Sequence, residues 1–155
     1  MTPLLVADPL EALRADLLIL CHFEDIPVPR GCLALVDWAL GAAVSRLSLS
    51  GRFVGAVGRA ALLNAGGKVP TEQIGLVGMG RAAGLSSAAL AEAGRTAATL
   101  AAGLRCHEVL VALPFHALPG SDPAALAKTF ERGFTAAGLP PVLPSLRFLD
   151  PAVAP

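Results

Sequence analysis

The tightest constraint on this chain is a short apolar run closed by two glycines, Gln73-Ile74-Gly75-Leu76-Val77-Gly78-Met79-Gly80-Arg81. A continuous apolar run of this length, without polar alternation, reads as a strand covered on both faces, the kind found in parallel sheets. An alanine-rich segment follows it, so the glycines mark the turn from a strand into its crossover helix. Ligands of open α/β sheets gather at the carboxyl ends of the strands. The stretch therefore poses the functional question of whether Gly78-Met79-Gly80 holds a ligand or only makes a turn.

The flanking sequence repeats the alternation of strand and helix. Leu4 to Ala7 reads as a short edge strand, and Asp16 to Phe23 as a continuous apolar strand of buried type. Glu24 to Gly31 is a loop, because its prolines fit neither regular element. From Leu33 the period becomes helical: Leu33, Val36, Leu40, Val44 and Leu47 share one face, with Asp37 and Arg46 elsewhere and Trp38 expected at the margin of the packed face. Gly51, Gly55 and Gly58 interrupt the apolar residues of 48–63, which suggests a bulged hairpin. Asn64 to Lys68 reads as a turn. Ser86 or Ser87 is the expected N-cap of a helix running to about Leu104, with Leu90, Ala93, Ala97, Leu100 or Ala101, and Leu104 as its apolar stripe and Glu92 and Arg95 facing water. Glu108 to Leu113 is another buried strand stopped by Pro114. Ser121-Asp122-Pro123, a cap followed by proline at the first helical position, starts a further helix bearing Leu126, Phe130, Phe134 and Ala137 on one face, ended by Gly138 and Pro140-Pro141. A last strand is expected from Val142 to Leu149, with Pro144 confining it to a sheet edge. Together these describe an α/β layered domain with a mixed sheet.

Composition narrows the class further. The chain has 155 residues, of which 54% are hydrophobic and 15% charged, with a mean hydropathy of +0.64. No run approaches the roughly 18 uncharged apolar residues that a spanning helix needs, and the amino terminus lacks the basic region of a signal peptide. A single soluble, cytoplasmic domain over residues 1–155 is the expectation. The excess of apolar residues would then be absorbed by contact with another subunit or a protein partner; codon bias toward Ala, Gly, Leu and Arg is the competing explanation, and ten Arg against two Lys fit it. Twelve basic and twelve acidic residues cancel, so the basic footprint of a nucleic-acid binder is missing. Cys21, Cys32 and Cys106 are odd in number and show no CxxC spacing; they read as reduced, buried small hydrophobes.

Several segments carry site chemistry in outline. Gly78-Met79-Gly80-Arg81-Ala82-Ala83 matches Gly-x-Gly-x-x-Ala, whose glycines let backbone N–H groups approach a pyrophosphate at a helix N-terminus. Gly84 and the late serine cap weigh against it, as does the lack of an acid after Val109 to Leu113 to hold a ribose hydroxyl. Asn64, Gly66 and Gly67 form a second glycine-rich loop, which as a tight turn needs no ligand. The candidate ligand residues are thus Asn64, Gly66, Gly67, Gly78, Gly80 and Arg81. Glu24-Asp25 reads as a solvated acidic turn. His22, His107 and His116 lie on different segments, and strand alternation splits Cys21 from His22 and breaks up Cys106-His107-Glu108. No serine sits in a nucleophile elbow and no acid or histidine set has metal spacing. No catalytic residue, metal or cofactor is expected.

One family resemblance runs through these segments. Gly51-Arg52-Phe53-Val54-Gly55-Ala56-Val57-Gly58, Ala61-Leu62-Leu63, Ile74 to Gly80, the alanine-rich helix and Val109 to Pro114 follow one another as in the amino-terminal domain of the M17 leucyl aminopeptidases. Ala15 to Leu20, the Asp37 helix and Phe130-Glu131-Arg132-Gly133 fit the same order, so the resemblance covers about residues 15–138. It implies a three-layer, macro-domain-like α/β/α sandwich with a mixed, largely parallel sheet. In that family the two-metal peptidase site lies in a large carboxy-terminal domain with an Asn-Thr-Asp-Ala-Glu-Gly-Arg motif and a ligand lysine. Asn64 is the only asparagine here and Lys68 and Lys128 are the only lysines, so none of those catalytic residues can be carried over. The resulting expectation is a non-catalytic domain acting through protein contacts, as a homo-oligomer or docked on a partner. A nucleotide- or ADP-ribose-binding module is the alternative, and a DNA-binding or regulatory role the second alternative.

Overall fold

The computed structural model describes residues 3–137 and 144–151. Six strands form one sheet in the order β1-β6-β5-β2-β4-β3. They are β1 (Leu5–Val6), β2 (Ala15–His22), β3 (Ala60–Asn64), β4 (Thr71–Gly78), β5 (Glu108–Ala112) and β6 (Ser145–Leu149). Every pairing is parallel except that of β3 with β4. The helices are α1 (Gly31–Ala39), α2 (Ala43–Leu49), α3 (Ser87–Gly103) and α4 (Pro123–Thr135).

Strand alternation sends the apolar residues of β2 to both faces, which is why its sequence shows no polar period. Leu17, Ile19 and Cys21 pack with Val77, Val109 and Val111 under Leu90, Ala93 and Ala97 of α3 and Phe130 and Phe134 of α4. Leu18 and Leu20 pack on the other face with Ile74, Leu76, Leu110 and the α1 residues Leu33 and Val36. The result is the expected three-layer α/β/α sandwich with a mixed, largely parallel sheet. The expected caps are in place: Ser86 Oγ accepts from Ala89 N at 3.1 Å, and Asp122 Oδ1 accepts from Ala124 N at 3.2 Å with Pro123 opening α4. The α3 stripe packs inward as expected, and Glu92 and Arg95 form an ion pair on its outer face.

Five expectations are corrected. The helix from Leu33 to Leu47 is two helices bent by 105°, because Gly41 and Ala42 both take positive φ, 63° and 65°. Apolar periodicity survives a sharp bend, so the break leaves little trace in the pattern. Trp38 is 88% exposed rather than packed at the margin, and Asp37, expected off the packed face, is 8% exposed. The bulged hairpin over 48–63 is replaced by the end of α2, an irregular segment and β3, whose hairpin partner is β4. The final strand lies between β1 and β5 instead of at an edge; Pro144 precedes Ser145, so its missing N–H costs the β6 ladder nothing. The end of α4 expected at Gly138 and Pro140-Pro141 falls outside the described residues. Among the described residues no single helix is long and apolar enough to cross a membrane.

Candidate ligand crevice and exposed contact surface

The glycine stretch that ends β4 lies beside the end of β2, with His22 in register with Gly78. The segment around Gly55 lies across both strand ends. Gly78 N donates to Arg59 O at 2.9 Å, Met79 N to His22 O at 3.0 Å, and Gly80 N to Gly55 O at 2.9 Å. Close approach is possible only because three positions lack a Cβ. Added at Gly78, it would stand 1.9 Å from Ala56 O; at Gly55 (φ 98°), 2.8 Å from His22 O; at Gly80 (φ 75°), 2.8 Å from Val57 Cγ2. The next amides are engaged as well: Ala82 N and Ala83 N donate to the Asp25 carboxylate at 2.8 and 3.2 Å. Asp25, expected as a solvated acid, is instead the acceptor that fixes this turn. The Ala82 amide, with Ala83 and the charge of Arg81, holds its carboxyl below the usual carboxylate range. The amides that a phosphate would need at 78, 79, 80, 82 and 83 are therefore satisfied within the chain, while Arg81 is exposed.

The second glycine loop is at the opposite end of β4. Asn64 Oδ1 accepts from Gly66 N at 2.7 Å, an Asx turn, and Gly66 and Gly67 (φ 58° and 76°) have open space around them. With Arg14, Lys68, Glu11 and Glu72 they wall an open pocket of about 620 Å³. The two cations face two anions there. Eight residues of β4 separate the loops by about 25 Å, so Asn64, Gly66 and Gly67 share no site with Gly78, Gly80 and Arg81.

Titratable side chains elsewhere hold structure. Asp16 accepts from His107 N at 2.7 Å and Glu108 N at 3.0 Å, tying the start of β5 to β2; those two amides lower its pKa. His22 is buried against Phe53, ring centroids 6.0 Å apart, and its Nε2 has no partner. Cys21, next in sequence, faces the other side of the sheet. Cys21 and Cys32 are buried as expected, whereas Cys106 is partly exposed. Among the described residues no three His, Cys, Asp or Glu side chains converge as metal ligands do.

The surface that the sequence reading missed is on α1. Trp38 and Leu35, one turn apart, are 88% and 57% exposed, and Val28 in the preceding loop is 66% exposed. Val28, Pro29, Ala34, Trp38, Gly41 and Ala42 wall a mainly apolar groove of about 450 Å³. The signal was present in Leu35 and Trp38, which lie off the Leu33/Val36/Leu40 stripe.

Residues 24–135 match the family described as "Cytosol aminopeptidase family, N-terminal domain". The chain belongs to this family. A probable cytosol aminopeptidase of Geobacter sulfurreducens is 36% identical over 83 residues, which cover 54% of this chain and 16% of the relative. Two solved structures have the same fold. A tomato leucine aminopeptidase mutant superposes with a TM-score of 0.74 at 21% identity, over 100% of this chain and 34% of that one. The macrodomain of Mycobacterium tuberculosis DarG gives 0.70 at 12% identity, over 96% and 97%. This chain thus spans about a sixth of the curated aminopeptidase and a third of the tomato chain, but nearly the whole of a macrodomain. The family assignment covers the β2-end loop through α4, so the glycine stretch and the Trp38 helix both lie within the cytosol aminopeptidase N-terminal domain.

Proposed function

We propose that residues 1–155 form one non-catalytic domain that works in the cytoplasm through protein contacts, and that self-assembly is its mode. The observation that carries this reading is the exposed Trp38, flanked by Leu35 and Val28 over an apolar groove. A tryptophan offers more contact area than any other side chain and is the residue most enriched at the energetic centre of interfaces. Zero net charge removes the self-repulsion that keeps many domains apart. The engaged amides of 78–80, 82 and 83 favour a structural role for the glycine stretch, and the cytosol aminopeptidase relative favours the compartment. Light scattering across a concentration series tests the reading. The expected result is a mass above one chain that falls with dilution and falls further in Trp38→Ser; a single-chain mass for the native protein at every concentration overturns it.

A second reading, a nucleotide or ADP-ribose-like ligand, is favoured by the open pocket at Asn64, Gly66 and Gly67, where Arg14 and Lys68 offer donors beside Glu11 and Glu72. A thermal-shift series with nucleotides and ADP-ribose tests it against Lys68→Ala, and the absence of any shift at millimolar ligand rejects it.

A further inference from the structure

The two ends of the sheet are built differently. At one end β1 is two residues long and lies between Pro3 and Pro9, a short edge of the kind that resists strand addition. At the other end β3 is five residues long, Ala60-Ala61-Leu62-Leu63-Asn64, with no charge and no proline, and among the described residues its outer side pairs with nothing. Its register on β4 fixes which groups that outer side presents. Gly78 N donates to Arg59 O and Ala65 N to Glu72 O, so residues 59, 61, 63 and 65 spend their backbone groups on β4. The N–H and C=O groups of Ala60, Leu62 and Asn64 point outward. Leu62 is also 44% exposed, on the face opposite Ala61 and Leu63, which pack into the core on the α1 and α2 side.

We propose that β3 pairs antiparallel with β3 of a second copy of this chain about a two-fold axis through Leu62, joining two six-stranded sheets into one. This rests on the self-assembly reading above and names a surface for it other than the Trp38 groove. The occupant is a second copy because the edge is complementary to itself. A two-fold at Leu62 opposes Leu62 to Leu62 and Ala60 to Asn64, so every outward donor and acceptor meets its counterpart, giving about six hydrogen bonds by the alternation of an antiparallel ladder. The same register opposes Arg59 to Ala65, so no like charges meet along the strand. The opposed Leu62 side chains cover each other, a cross-strand apolar pair, and an isologous two-fold contact closes on itself instead of propagating.

The test combines mass and cross-linking. Leu62→Pro removes one outward N–H and no bond to β4, and Leu62→Lys places a charge on the edge; circular dichroism verifies that each remains folded. Both are expected to shift the dimer toward one chain. In a Cys106→Ser background, Leu62→Cys is expected to form a covalent dimer on mild oxidation. Ala60→Cys and Asn64→Cys are expected to cross-link when mixed but not separately, since identical positions are then offset by four residues, about 13 Å. A native protein of single-chain mass at every concentration overturns both this proposal and the self-assembly reading. A dimer that dissociates in Trp38→Ser yet survives Leu62→Pro and Leu62→Lys, or a dimeric Leu62→Cys chain that does not cross-link, overturns the edge pairing and leaves self-assembly standing.

Discussion

Gly78 lies so close to the backbone of Ala56 that a Cβ at position 78 would stand 1.9 Å from the Ala56 carbonyl oxygen. This contact explains why the strand ends in glycine. The segment around Gly55 has to cross the ends of β2 and β4, and the crossing is held by amides that a ligand would otherwise use. Backbone here cannot yield by a rotamer change, so Gly78→Ala is expected to cost about 3 kcal/mol, the upper end of what overpacking usually costs. Gly103→Ala, near the end of α3 with open space around it, is expected to be neutral or to stabilise by roughly 0.5–1 kcal/mol. Denaturant unfolding of the two variants measures the contrast, and equal effects would remove the crossing as the reason for the glycine.

The bend between α1 and α2 depends on Asp37. Its carboxylate accepts from Val44 N at 2.8 Å, from Ser45 N at 3.0 Å and from Ser45 Oγ at 2.6 Å, so α2 is capped by a side chain of the preceding helix. The residue at its own N-cap position, Ala42, has no side chain able to do this. Asp37→Ala leaves those donors uncompensated and is expected to cost about 1–2 kcal/mol. Ser45→Ala removes one of three bonds and is expected to cost less than Asp37→Ala. Thermal unfolding gives the order; a Ser45→Ala loss as large as that of Asp37→Ala would mean the amides contribute little.

The parts of the fold visible in the sequence are those fixed by local chemistry. β2, β4 and β5 show as continuous apolar runs because both their faces are covered. α3 and α4 show through Ser86 and Asp122, caps that act within their own turn. Several of the missed features depend on partners outside their own turn. Asp37 reads as a solvent-facing acid until the 105° bend brings Ser45 to it. Asp25 reads as a loop acid although its partners are 57 and 58 residues away. β6 reads as an edge strand because of Pro144, and nothing local announces that the proline precedes the ladder or that β1 adds outside it. The candidate ligand residues form two glycine-rich loops whose separation is set by the length of β4, which the glycines themselves do not reveal.

His22 gives the stability a pH dependence of known sign. Burial lowers its pKa, and its Nε2 lacks a partner that would hold a proton. The native state therefore keeps the imidazole neutral while the unfolded chain takes up a proton near the ordinary value of 6.5. Its contribution is complete above that value and is lost as pH falls through it, at a slope of up to about 1.4 kcal/mol per pH unit. Asp16 and Asp25, both lowered from 3.8, add their losses only further down. Stability is expected to decline in two stages on acidification, with the first stage missing in His22→Leu. A first stage that persists in His22→Leu would assign it to another group.

Thiol reactivity separates the three cysteines, because the reactive species is the thiolate. Burial pushes Cys21 and Cys32 up to about 12, and closes both off from reagent. Cys106 is also raised, by partial burial first and then by the negative charges of Asp16 and Glu72, but it is partly exposed at the turn between α3 and β5. At mildly alkaline pH the folded chain is expected to take up alkylating reagent at Cys106 alone, and slowly for a free thiol. Neutralising Asp16 as Asp16→Asn removes one of the opposing charges and is expected to quicken that reaction. In denaturant all three cysteines are expected to react alike. Peptide mapping by mass spectrometry reads the order; early modification of Cys21 or Cys32 in native buffer would show that β2 or α1 opens far more readily than the packing of Cys21 among Leu17 and Ile19, and of Cys32 among Leu33 and Val36, allows.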